Sequence, residues 1–203
     1  MNRTQTRPPF LLRLALVALV LTLITCVVAA AVSQALSPRP QVAGQVEPAG
    51  EIGEADGMVP DGEPLDPDGS EAAIAGLNRE LLAALREAAK AAESDGIDLR
   101  VTSGWRTERY QQKLLDDAVA DYGSLEEAAR WVATPTTSAH VRGEAVDVGF
   151  TDAYYWLMQY GARWGLCNVY NNEPWHFELT GTDESGACPV PYADPTEDPR
   201  LQG

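Results

Sequence analysis

The chain has 203 residues, 45% of them hydrophobic, and a formal net charge of −15. That length leaves room for one modest domain with its own core once the ends are discounted. Four arginines and no acids fall within residues 1–40, leaving −19 for the remainder, and so acidic a surface argues against nucleic acid as a partner.

Arg3, Arg7 and Arg13 precede Leu14–Val32, an uncharged and almost wholly apolar run of 19 residues. The run is long enough to cross a bilayer as a helix. Basic residues before it place residues 1–13 in the cytoplasm and the rest outside. The small-residue stretch SQA, ending at Ala35, also fits the cleavage site of a signal peptide. The first reading gives a single-pass membrane protein with an extracytoplasmic domain, the second a secreted one. Cys26 lies in the apolar run, which leaves Cys167 and Cys188 as an even pair in an oxidising compartment. A bridge between them would close a loop around EPWHFEL; the alternative is two buried free thiols.

Residues 33–71 are rich in Pro, Gly, Asp and Glu and poor in large apolar groups, which predicts a disordered acidic linker. The folded unit is expected over residues 72–192, and 193–203 read as a flexible tail. Within the unit, EAAIAGLNRELLAALREAAKAAESDG has apolar residues at helical spacing, with Gly96 as a stop. IDLRVTSGW alternates like a strand. TERYQQKLLDDAVADYG and SLEEAARWVAT read as helices, the second with Ser124 and Glu127 as a capping box. EAVDVGF reads as a strand, TDAYYWLMQYGARWG as a helix with Thr151 as its cap, and WHFEL as a final strand. Short links between these elements predict a small α+β domain with a mostly antiparallel sheet.

The two histidines of the chain lie in SAHVRGEAVDVGF and NNEPWHFEL. Alternation along EAVDVGF sends Val146, Val148 and Phe150 to one face and Asp147 to the other, flanked by small residues. His140 precedes Asp147 by seven positions, with Gly143 available for a turn. Alternation in the second segment puts Trp175, Phe177 and Leu179 on the core face and His176 and Glu178 opposite. Two imidazoles and one carboxylate suit Zn²⁺, with a fourth position left for water. Glu173 lies three residues before His176, and a bend at Pro174 would bring it over the metal as a base. Each residue also has an ordinary reading: a hydrogen-bonded structural histidine, an aspartate cap, a solvated loop acid.

SAHVRGEAVDVG matches the pattern Ser-x-His-x-x-Gly-x-Ala-x-Asp, and EPWHFE matches Glu-x-x-His with Trp before the histidine. SGWRTERYQ is similar to Ser-Gly-Tyr-Arg-Ser-x-x-x-Gln, with Trp105 in place of Tyr and Thr107 in place of Ser. In this order the three motifs resemble the VanY-type D-alanyl-D-alanine carboxypeptidases, zinc peptidases of bacterial peptidoglycan. The resemblance runs from about Leu99 to Leu179. It implies the small zinc-bearing α+β domain of that family, with one zinc held by His140, Asp147 and His176. It implies Glu173 as catalytic base, and Arg106 on the substrate's terminal carboxylate or the developing oxyanion. Gln111 and Ser138 would line the substrate site. The expected partner is a peptidoglycan stem peptide losing its terminal D-alanine to a monomeric enzyme. An L,D-carboxypeptidase or endopeptidase of the same fold, and a wall-binding module without catalysis, are the competing readings.

Overall fold

A computed structural model describes residues 50–201. The apolar run at 14–32, the residues before it and the first part of the expected linker lie outside the described residues. Among those described, no helix is long and apolar enough to cross a membrane.

The helical pattern over residues 71–96 yields two helices rather than one, α1 (Ala72–Ala75) and α2 (Arg79–Ser94). The break lies at Gly76, whose backbone packs flat on Trp105; a Cβ there would meet the indole at 2.4 Å. Asn78 then restarts the helix by accepting a hydrogen bond from the Glu80 amide at 2.9 Å. Leu81, Leu85, Ala88 and Ala92 form the buried stripe of α2. They pack on Val101, Val146, Val148, Leu166 and Phe177 from the sheet. Each large side chain so buried contributes about 1.5–3 kcal/mol.

The sheet has four antiparallel strands in the order β1 (Arg100–Ser103), β2 (Ala145–Gly149), β4 (His176–Leu179), β3 (Leu166–Asn168). Between β1 and β2 run α3 (Glu108–Tyr122), capped by Thr107, and the single turn α4 (Leu125–Ala128), capped by Ser124. The expected second helix thus stops after one turn, and residues 129–143 continue as turns. After β2 comes α5 (Thr151–Tyr160), which ends in a 3₁₀ turn. Thr151 is its first helical residue rather than its cap; Phe150 occupies the cap position and is 54% exposed instead of facing the core. The chain turns out of β2 at Gly149, so the strand's alternation no longer governs Phe150. Trp175 and Leu179, also expected in the core, are exposed, because β4 begins only at His176 and ends at Leu179.

Two segments expected to be loose are packed on the domain. In the linker, Leu65 pairs with Val101 through two backbone hydrogen bonds, and Asp56 is buried where it accepts from Arg109 and Thr107. In the tail, Asp194 accepts from Arg130 at 2.9 Å, and Asp198 is fully buried. Both segments carry too little apolar surface to predict order, and both are held by buried acids paired with arginines. Cys167 and Cys188 form the expected disulfide, which ties β3 to the stretch leading into the tail.

Candidate metal centre and substrate cleft

β2 and β4 run side by side in a register that sets Asp147 opposite His176. Alternation buries Val146, Val148 and Phe177 in the core and turns Asp147, His176 and Glu178 to the other face. His140 reaches this face from the turn before β2. Gly143, at φ +70°, closes that turn, and its amide donates to the His140 carbonyl at 3.0 Å. A Cβ on Gly143 would also meet the Gly76 carbonyl at 2.4 Å, so glycine is needed there for handedness and for space.

Three donor atoms converge. His140 Nε2 lies 3.2 Å from His176 Nδ1, His176 Nδ1 lies 3.1 Å from Asp147 Oδ1, and Asp147 Oδ1 lies 3.4 Å from His140 Nε2. Ligands about 2.0–2.1 Å from a tetrahedral zinc are about 3.3–3.4 Å apart, so the triangle has the right size for such an ion. Each imidazole uses its other nitrogen elsewhere. His140 Nδ1 donates to the Gly104 carbonyl at 2.9 Å, and His176 Nε2 faces Glu178 Oε1 at 3.3 Å. These partners leave the lone pairs of His140 Nε2 and His176 Nδ1 for the shared corner.

Three converging lone pairs repel, and without an ion a proton relieves them. Burial disfavours charge on His176, but its bonds to Asp147 and Glu178 outweigh burial and push its pKa up to about 10. Burial, joined by Arg106, holds His140 below its ordinary value. Burial alone would raise Asp147; the two imidazoles outweigh it and keep the carboxylate ionised well below the usual range.

Pro174 lies in the turn that joins β3 to β4. The Glu173 amide donates to the Tyr170 carbonyl and the His176 amide to the Glu173 carbonyl. Asn168 clamps the same turn, its Nδ2 donating to the carbonyls of Glu173 and His176 at 2.8 and 3.0 Å. Glu173 is buried, with Oε2 3.8 Å from His176 Nδ1, outside the donor triangle. Its Oε1 is buried with no partner. Burial pushes its pKa up to about 7. Arg106 Nη2 stands 3.9 Å from Asp147 Oδ2, and its Nε is likewise buried and unpartnered. A carboxylate oxygen and a guanidinium nitrogen left unpaired beside one cleft are the marks of a site that expects a polar guest.

That cleft, about 200 Å³, is lined by Arg106, Trp131, Glu173, Trp175 and the three donor residues, and by Gln111 and Ser138. Gln111 and Ser138 are buried and bonded to each other, Ser138 Oγ donating to Gln111 Oε1 at 3.0 Å. Gln111 Nε2 donates to the Ala133 carbonyl. They form the wall and tie α3 to the turn bearing His140. Ser138 follows the turn at 135–137, its amide donating to the Thr134 carbonyl at 2.9 Å. Sequence reasoning gave no role to Glu178, Asn168, Trp131 or Arg200. Only Glu178 had a signal, its place on the same strand face as His176.

Residues 75–182 match the family model described as VanY: D-alanyl-D-alanine carboxypeptidase. A D-alanyl-D-alanine carboxypeptidase of Enterococcus faecalis is 33% identical over 124 residues, covering 49% of this chain and 46% of its own length. The chain thus matches a little under half of that curated relative. Two solved structures share the fold. One is a vancomycin-resistance D,D-pentapeptidase VanY mutant from a VanB-type resistance cassette, in complex with Zn(II). It is 29% identical with a TM-score of 0.50, over 58% of this chain and 77% of that one. The other is VanYB in complex with D-alanine-D-alanine, 26% identical with a TM-score of 0.52, over 64% of this chain and 89% of that one. The matched range contains His140, Asp147, Glu173 and His176 in one site, and the chain belongs to the VanY family of D-alanyl-D-alanine carboxypeptidases.

Proposed function

We propose that the chain is a zinc-dependent carboxypeptidase that removes the terminal D-alanine from peptidoglycan stem peptides. The observation that carries this reading is the pairing of a zinc-sized donor triangle with a buried, unpartnered Glu173 oxygen beside it. The relative solved with Zn(II) and the relative solved with D-alanine-D-alanine support the metal and the substrate class. His140, Asp147 and His176 would hold the ion. Bound there, zinc lowers the pKa of water to about 7 and polarises a carbonyl.

The remaining chemistry belongs to the chain's own groups. Glu173, with a pKa near neutrality, takes a proton from the attacking water and later gives it to the departing amine. Arg106 offers its buried guanidinium to the substrate's terminal carboxylate or to the developing oxyanion. Trp131 and Trp175 wall the cleft and restrict water around the reacting bond. A wall peptidase works outside the cytoplasmic membrane, in keeping with the Cys167–Cys188 disulfide and with the apolar run at 14–32 read as an anchor or an export signal.

Muropeptides ending in D-Ala-D-Ala, incubated with the purified protein and analysed by mass spectrometry, test the proposal. The expected product is lighter by one alanine residue. Cleavage only of tetrapeptides would move the assignment to L,D-carboxypeptidase action. Binding without any product would leave a wall-binding module.

A further inference from the structure

The 194–201 segment returns to the donor triangle and reaches it through Glu178. Glu178 is buried, and Arg200 reaches both of its oxygens, with Nη2 donating to Oε1 at 3.4 Å. Oε1 lies 3.3 Å from His176 Nε2, while Oε2 accepts from Arg200 Nη1 at 2.6 Å. Arg200 is fixed in turn. Its Nε donates to both oxygens of Asp198 at 3.0 Å, and Nη2 donates to Asp198 Oδ2 at 2.5 Å. Asp198 is fully buried and also accepts from Tyr170 Oη at 2.9 Å. The Tyr170 ring lies 5.1 Å from the His176 ring. Two residues of the same segment, Pro195 and Leu201, line the cleft.

We propose that Arg200 is a positioning residue of the metal centre: it locks Glu178 against His176 and so sets how tightly the trio grips its ion. The inference rests on the zinc reading above. The physical reason is orientation. A histidine that ligates through one nitrogen is held in tautomer and ring angle by the acceptor on its other nitrogen, and losing that acceptor weakens metal affinity about 10–100-fold. Here the acceptor is a carboxylate that needs holding. Without the Arg200 fork on its two oxygens, Glu178 can rotate about its terminal torsions and leave Nε2. The Arg200 fork engages Glu178 and Asp198 at once, a geometry that a point charge does not reproduce. Arg200 lies beyond the residues matched by the family model, which end at 182, so this support belongs to the chain's own C-terminal segment.

Zinc affinity of the full chain, measured by competition with a chromophoric chelator, tests the inference. Arg200→Ala and Glu178→Ala should each weaken zinc about 10–100-fold. The double variant should bind as weakly as Glu178→Ala and no weaker, because Arg200 acts through Glu178. Arg200→Lys should recover only part of the loss. If Glu178→Ala does not fold, Glu178→Gln takes its place in the same cycle. Wild-type affinity in a folded Arg200→Ala protein, or losses that multiply in the double variant, would overturn the proposal. Failure of the wild type itself to bind zinc would instead remove the metal reading on which it rests.

Discussion

Glu173→Gln is the perturbation that separates catalysis from metal binding. Glu173 lies outside the 3.1–3.4 Å donor triangle, with its nearer oxygen 3.8 Å from His176 Nδ1. The amide keeps the size and shape of the carboxyl but cannot take a proton. Loss of a positioned base lowers turnover about 10²–10⁴-fold, or about 3–5 kcal/mol in the transition state. Zinc content should not change. The same substitution has a second signature. Folding raises the Glu173 pKa from 4.5 to about 7, so the protonated carboxyl favours the folded state. That contribution is complete below pH 4.5 and is lost as pH rises through about 7. It is on the order of 3 kcal/mol, an upper figure because the native site relaxes. In urea unfolding of the metal-free proteins from about pH 4 to pH 8, the stability difference between wild type and variant should follow this profile, since the shifted histidines contribute equally to both. The assay pair is steady-state release of D-alanine and zinc content by atomic absorption. Near-normal turnover in Glu173→Gln, or loss of zinc together with turnover, would refute the assigned role.

Three further outcomes follow from the geometry. Below about pH 10 the metal-free His176 holds a proton that an ion must displace, so zinc affinity should rise about tenfold per pH unit; a flat profile in chelator competition would contradict this. Arg106→Ala should cut kcat/KM about 10²–10³-fold at unchanged zinc content, and Arg106→Lys should rescue little, as read by D-alanine release. Cys188→Ser opens a disulfide that spans 21 positions, which should cost about 3 kcal/mol and lower Tm by about 6–12 °C in calorimetry.

Much of the site was legible because strand alternation is a strict period of two. It placed Asp147 and His176 on one face and Val146 and Phe177 on the other, and the sheet register then brought the two polar residues side by side. Gly143 announced the turn that delivers His140. The same rule failed where strands end: Phe150 and Trp175 sit one residue outside β2 and β4, where the turn decides their direction. β3 is only three residues long, too short for a pattern to register. The order of residues 50–71 and 193–201 was not legible at all. Composition weighs apolar area, whereas these stretches are held by single buried acids, Asp56, Asp194 and Asp198, whose arginine partners lie elsewhere in the chain or, for Asp198, two residues on. Asn168 is a case of the same kind: its clamp on the Glu173–His176 turn joins groups that only the fold brings together.

The central claim is that His140, Asp147 and His176 grip one ion. Anomalous diffraction at the zinc edge, from crystals of the purified protein, tests it most directly. The account predicts a single peak within bonding distance of His140 Nε2, Asp147 Oδ1 and His176 Nδ1, with Glu173 beside it but unbound. No peak between those three atoms in zinc-replete protein, or a peak at another cluster, would contradict it.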